Sequence, residues 1–96
     1  MTKSNNNKLS DILNSFVQQR NIKPKYFQKK VEILWKDQMG SMIDHYTRSI
    51  RLKHRILYLK IDSSPLKQEL HYSKDKIKDL LNKGLGEEYI REVILQ

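Results

Sequence analysis

Residues Thr47 to Ser64 read TRSIRLKHRILYLKIDSS, and the side-chain alternation in this stretch decides the fold. Ile50 and Leu52 alternate with Arg51 and Lys53, and further on Leu57, Leu59 and Ile61 alternate with Tyr58 and Lys60. A period of two marks a half-buried strand, so the stretch predicts a β-hairpin with one apolar and one basic face. The tip Lys53-His54-Arg55 contains no glycine or asparagine to take the positive backbone dihedrals of a tight two-residue turn. A loop of three to five residues is therefore expected. The same pattern also suits a solvated strand pair whose lysines and arginines only guard an edge.

Beyond the hairpin, Ser63-Ser64-Pro65 is a helix start: the Ser64 hydroxyl can accept from an orphan amide, and Pro65 suits the first helical position. A single helix is expected through Leu66, Leu70, Ser73, Ile77, Leu80 and Leu81, stopping at Gly84 with Lys83 near its negative pole. Lys67, Lys74, Lys76 and Lys78 mix there with Glu69, Asp75 and Asp79, as on an ordinary solvated face. Gly86-Glu87-Glu88 should turn the chain into a last strand, Tyr89 to Leu95, with Val93 and Leu95 on one face and Ile94 on the other.

Before the hairpin, a helix from Pro24 or Lys25 to Met39 carries Phe27, Val31, Leu34 and Trp35 on one side. Gly40 is expected as its left-handed cap, and Ser41 to His45 as a short helical turn. Asn21 to Lys25 is a connector. Leu9, Ile12, Leu13, Phe16 and Val17 predict an amphipathic helix ending near Arg20, and residues 1–8 a flexible tail. Residues 9–96 then form one domain of order α-α-β-β-α-β, an α+β fold. Its last strand runs parallel to the second, on either edge of the hairpin, with helices on one face of a three-stranded sheet.

Composition removes several function classes. With 96 residues the chain has room for one core, but not for a cofactor domain beside a substrate domain. The absence of cysteine excludes disulfides, thiolate zinc sites and cysteine nucleophiles. No apolar run approaches the roughly 18 residues of a membrane span, and MTKSNNNKLS lacks the apolar core of a secretory signal, so the cytoplasm is the expected location. Asp44, His45, His54, Asp62, Ser63 and His71 show no triad or metal-ligand spacing, and no Walker phosphate loop is present. The expectation is a non-enzymatic protein with no cofactor, metal or small-molecule substrate.

Charge points to the partner. The net charge is +8, yet residues 1–60 hold 13 Lys and Arg against 4 Asp and Glu, whereas residues 61–96 hold 6 against 7. A basic field confined to the first two thirds favours polyanions through counterion release. Nucleic acid is the leading partner class, with Lys23, Lys25, Lys29, Lys30, Arg48, Arg51, Lys53, Arg55 and Lys60 as phosphate contacts and Tyr58 as the aromatic on the basic sheet face. The alternative is a protein-interaction adaptor whose basic patch meets an acidic partner. Trp35 is a candidate for base stacking or partner binding, but its place on the apolar stripe assigns it to the core.

Leu34-Trp35-x4-Gly40, His45-x-Thr47, the hairpin running into Ile61-Asp62-Ser63-Ser64, Glu69-Leu70, and Ile90-Arg91-Glu92-Val93 together resemble the DciA-type domain. The resemblance spans about residues 9 to 96 and implies a KH-like αβ fold, DNA binding, and a contact with the bacterial replicative helicase during its loading, without ATPase activity. A nucleoid-associated protein in the cytoplasm is implied with it. Relatives often carry glycine at the hairpin tip, where this chain has His54-Arg55. A KH-like RNA-binding module is a further alternative, but the G-x-x-G loop of such modules is absent, since Gly84 and Gly86 have the wrong spacing.

Overall fold

The computed structural model describes residues 23–96, and the helix expected over Leu9 to Arg20, like the tail before it, lies outside them. The described elements are α1 (Lys23–Met39), α2 (Ser41–His45), β1 (Thr47–Lys53), β2 (Ile56–Ile61), α3 (Ser64–Tyr72), α4 (Lys74–Leu85) and β3 (Glu92–Leu95). β1 pairs antiparallel with β2, and β3 joins the other side of β2 in parallel, giving the strand order β1-β2-β3. This is an α+β fold with a three-stranded mixed sheet, compatible with a KH-like arrangement.

The alternation in the sequence is the alternation of burial. Leu52, Leu57, Leu59, Ile61 and Val93 sit in the core with Phe27, Val31 and Trp35 of α1 and Leu70, Ile77, Leu81 and Leu85 of α3 and α4. Each large apolar side chain so removed from water is worth roughly 1.5–3 kcal/mol. All of these strand residues share one side of the sheet, so the helices cover that side and leave Arg51, Lys53, Tyr58 and Lys60 on the other.

Five local expectations are corrected. Lys53 pairs with Ile56, so the hairpin closes through only two residues instead of three to five. His54 and Arg55 themselves take the positive dihedrals, with φ of 51° and 65°. The strand twist favours such a turn strongly enough to impose it on residues that pay a steric cost for it.

The cap of α3 is Ser63, one residue before the expected Ser64; its hydroxyl accepts from the Leu66 amide at 3.3 Å. The long helix is two helices broken at Ser73, whose backbone leaves helical geometry at φ −106° and ψ 12°. α4 runs past Gly84 and stops at Gly86, which adopts the left-handed conformation with φ 84° and donates to Asn82 and Lys83 carbonyls. Gly84 has a packing role instead: a Cβ there would lie 2.8 Å from both Cδ atoms of Leu34, so its bare backbone allows α1 and α4 to approach. Gly40 has φ 91° but ψ 164°, outside the left-handed helical region expected for it, and it leads into α2.

Candidate nucleic-acid interface

The sheet face that the described helices leave uncovered is built from rows of residues paired across strands. Arg51 lies opposite Tyr58, which in turn lies opposite Ile94; Lys53 lies opposite Ile56, which lies opposite Glu92; Ser49 lies opposite Lys60. Directly opposed side chains are about 5 Å apart at Cβ, so Tyr58 stands between a guanidinium and an aliphatic group. Tyr58, Ile56 and Ile94 are half-buried, while Arg51, Lys53 and Lys60 are exposed around them. The face therefore has an apolar, partly aromatic middle and a cationic rim, with Glu92 as the acidic residue in its rows.

α1 extends this face around the β1 edge through a residue that periodicity did not single out. The Gln28 amide donates to the Ile50 carbonyl at 2.7 Å and accepts from the Leu52 amide at 2.6 Å, pairing with β1 much as another strand would. It also donates to Glu32 at 2.7 Å. At about 100° per residue, Lys25 and Lys29 follow roughly 60° and 100° around α1 from Gln28, on the side away from the core stripe. Both are exposed. Helix geometry thus carries Lys25 and Lys29 round from Gln28 on the solvent side of α1, while Arg51 and Lys53 lie on β1.

Other candidate cations have internal partners. Lys23 forms an ion pair with Glu87 at 3.0 Å and lies 5.6 and 5.7 Å from the ring centres of Phe27 and Tyr89. Arg48 Nε is 3.2 Å from the Asp62 carboxylate, across the base of the hairpin. The Arg55 guanidinium donates to the Tyr89 carbonyl at 2.9 Å and the Glu88 carbonyl at 3.0 Å, and stacks 5.5 Å from the Tyr89 ring. Lys23 fastens the loop before β3 to α1, and Arg48 and Arg55 fasten loops to the hairpin. Lys30 lies 5.8 Å from the Tyr26 ring and is half-buried.

Trp35 takes the core position that its stripe implied. It is fully buried, and its indole N–H donates to the Thr47 hydroxyl at 2.9 Å, which donates onward to the Ile43 carbonyl at 2.7 Å. It is not on the surface that a base or a partner would touch. Asn82, also missed by periodicity, is buried and clamps the start of β3 by donating to the Ile90 carbonyl and accepting from the Ile90 amide, at 3.0 and 2.8 Å. A polar residue following Leu81 in a helix breaks the apolar stripe, and that break was the one sign of it.

Among the described residues there is no cluster of metal-ligating side chains, and no helix is long and apolar enough to cross a membrane. No curated protein and no solved structure gives a significant match. The family model described as "Dna[CI] antecedent, DciA" matches residues 8–95. With the model covering nearly the whole chain, the protein belongs to the DciA family, a family of non-catalytic accessory proteins associated with loading of the replicative helicase.

Proposed function

We propose that this chain binds DNA through the uncovered sheet face and the adjoining side of α1, and assists loading of the bacterial replicative helicase without catalysing a reaction. The observation that carries this reading is the placement of Tyr58, half-buried between Arg51 and Ile94 and rimmed by exposed Lys53 and Lys60. Lys25 and Lys29, with half-buried Lys30 beside them, extend the rim past the β1 edge. Ammonium and guanidinium groups so arranged meet phosphates with little regard to sequence, and a tyrosine face accepts any base. Lys23, Arg48 and Arg55 contribute charge to the field, but their internal partners make them secondary contacts. Family membership supports the helicase as the protein partner, and with it a site of action at the nucleoid in the cytoplasm.

The test is a fluorescence titration with single- and double-stranded oligonucleotides at two salt concentrations, on the wild type and on a variant combining Arg51→Gln, Lys53→Gln and Lys60→Gln. Loss of three phosphate contacts should weaken binding to all sequences and lower the slope of log K against log salt by about 2 on single strands. No DNA affinity even at low salt, with helicase capture retained, would replace this reading by the adaptor whose basic patch meets an acidic partner. Failure to capture the helicase would remove the loading role.

A further inference from the structure

The two outer edges of the sheet are treated differently. At β1 the Gln28 amide satisfies the outward carbonyl of Ile50 and the outward amide of Leu52. At β3 the described residues leave the edge open. Gln96 donates to the Leu59 carbonyl and accepts from the Ile61 amide, which fixes the phase of the strand: Gln96 and Ile94 turn their backbone groups toward β2. Val93 and Leu95, one residue out of phase, turn theirs away. Among the described residues, no side chain or neighbouring strand meets those outward groups. An unpaired row of this kind is a template for another strand.

Beside it lies a groove of about 340 Å³ lined by Ser64, Lys67, Gln68, His71, Tyr72 and Leu95. One wall is therefore the side of α3 that carries residues at i, i+3, i+4, i+7 and i+8, and the other is the end of β3. Leu95 supplies an apolar surface, and the Tyr72 ring, 77% exposed, supplies an aromatic one steadied by Gln68 donating to its hydroxyl at 3.2 Å. Lys67 provides an ammonium, and among the described residues no carboxylate lines the groove. Neither Lys67 nor His71 is engaged by an acid among the described residues.

We propose that the outer edge of β3 and the groove between β3 and α3 receive an extended acidic peptide of a partner protein as a fourth strand. Main-chain bonds to Val93 and Leu95 supply affinity, an apolar side chain packs against Leu95 and Tyr72, and a carboxylate meets Lys67. This division of labour is that of strand addition beside a helix. The charge distribution separates the two surfaces: the nucleic-acid face draws on the basic first two thirds, whereas residues 61–96 carry 6 basic against 7 acidic side chains. A peptide at β3 is held by a local ammonium and not by the general basic field. The proposal does not rest on DNA binding.

The probe is a blocked hexapeptide of alternating valine and glutamate, titrated into the isotopically labelled full chain, with amide resonances as the readout. The expected result is saturable movement of the Val93, Leu95 and Lys67 signals, and no binding of the counterpart in which lysine replaces glutamate. Lys67→Glu should weaken the peptide by about tenfold, as for loss of a charge-assisted contact, while leaving the salt slope of DNA binding unchanged. Leu95→Pro removes the outward amide without touching the bonds to β2, since proline is tolerated where its missing donor faces solvent, and should abolish binding. The proposal is overturned if shifts fall only on the Arg51, Lys53 and Lys60 face, if no signal moves at millimolar peptide, or if Lys67→Glu binds as well as the wild type. It is also overturned if the Val93 and Leu95 signals broaden with protein concentration alone and the mass doubles, which would give the edge to a second copy of this chain.

Discussion

The indole N–H of Trp35 has no water to turn to, because the residue is fully buried, and the Thr47 hydroxyl at 2.9 Å is its partner. Thr47 passes its own proton to the Ile43 carbonyl, so one hydroxyl satisfies a buried donor and ties α2 to the first residue of β1. Thr47→Val keeps the shape and removes both bonds, leaving the indole N–H unpaired. It should lower stability by about 1–3 kcal/mol in urea denaturation, while Thr47→Ser, which retains the hydroxyl, should lose much less. An unchanged midpoint for the valine variant would show that this relay contributes nothing. The burial of Trp35 was legible, since it shares a stripe with Phe27 and Val31. The polar residues that fasten the structure were not: Gln28 and Asn82 act through one amide each, and an isolated polar side chain carries no period to read.

At the scale of elements, the strands were legible because a period of two maps directly onto two faces, whereas the connections depended on contacts far along the chain. The hairpin turn is the clearest case. His54 and Arg55 adopt φ values of 51° and 65°, which cost a residue with a Cβ about 1 kcal/mol or more each. Arg55 nonetheless holds a position where glycine would be easier, because its guanidinium reaches the Glu88 and Tyr89 carbonyls, residues more than thirty positions away. A local reading of the tip cannot contain that compensation. The two turn positions should therefore respond in opposite directions to glycine. His54→Gly, which has no side-chain bond to lose among the described residues, should raise stability by roughly 0.5–1 kcal/mol. Arg55→Gly should lower thermal stability in spite of the easier backbone, because it frees the Glu88–Tyr89 loop. If both substitutions stabilise, the guanidinium contacts are ornamental and turn strain alone governs the hairpin.

For the whole molecule, the uneven charge along the sequence becomes an uneven surface, yet the sequence could not tell which cations are available. The helix-side and sheet-side residues Lys25, Lys29, Arg51, Lys53 and Lys60 are exposed, whereas Lys23, Arg48 and Arg55 are held by groups contributed from residues 61–96, namely Glu87, Asp62 and the Glu88 and Tyr89 carbonyls. Two triple variants turn this distinction into a measurement. One replaces Lys23, Arg48 and Arg55 with glutamine; the other replaces Arg51, Lys53 and Lys60. Each lowers the net charge of +8 by the same three units, so the long-range field that steers a polyanion falls equally in both. Contact with phosphates and support of the fold should then separate. The sheet-face variant should keep its melting temperature and lose about 2 from the salt slope of single-strand binding, while the fastened set should lose melting temperature and retain most of that slope. Equal losses of slope would mean that affinity follows net charge and not a particular face, and the uncovered sheet would then have no special claim on DNA.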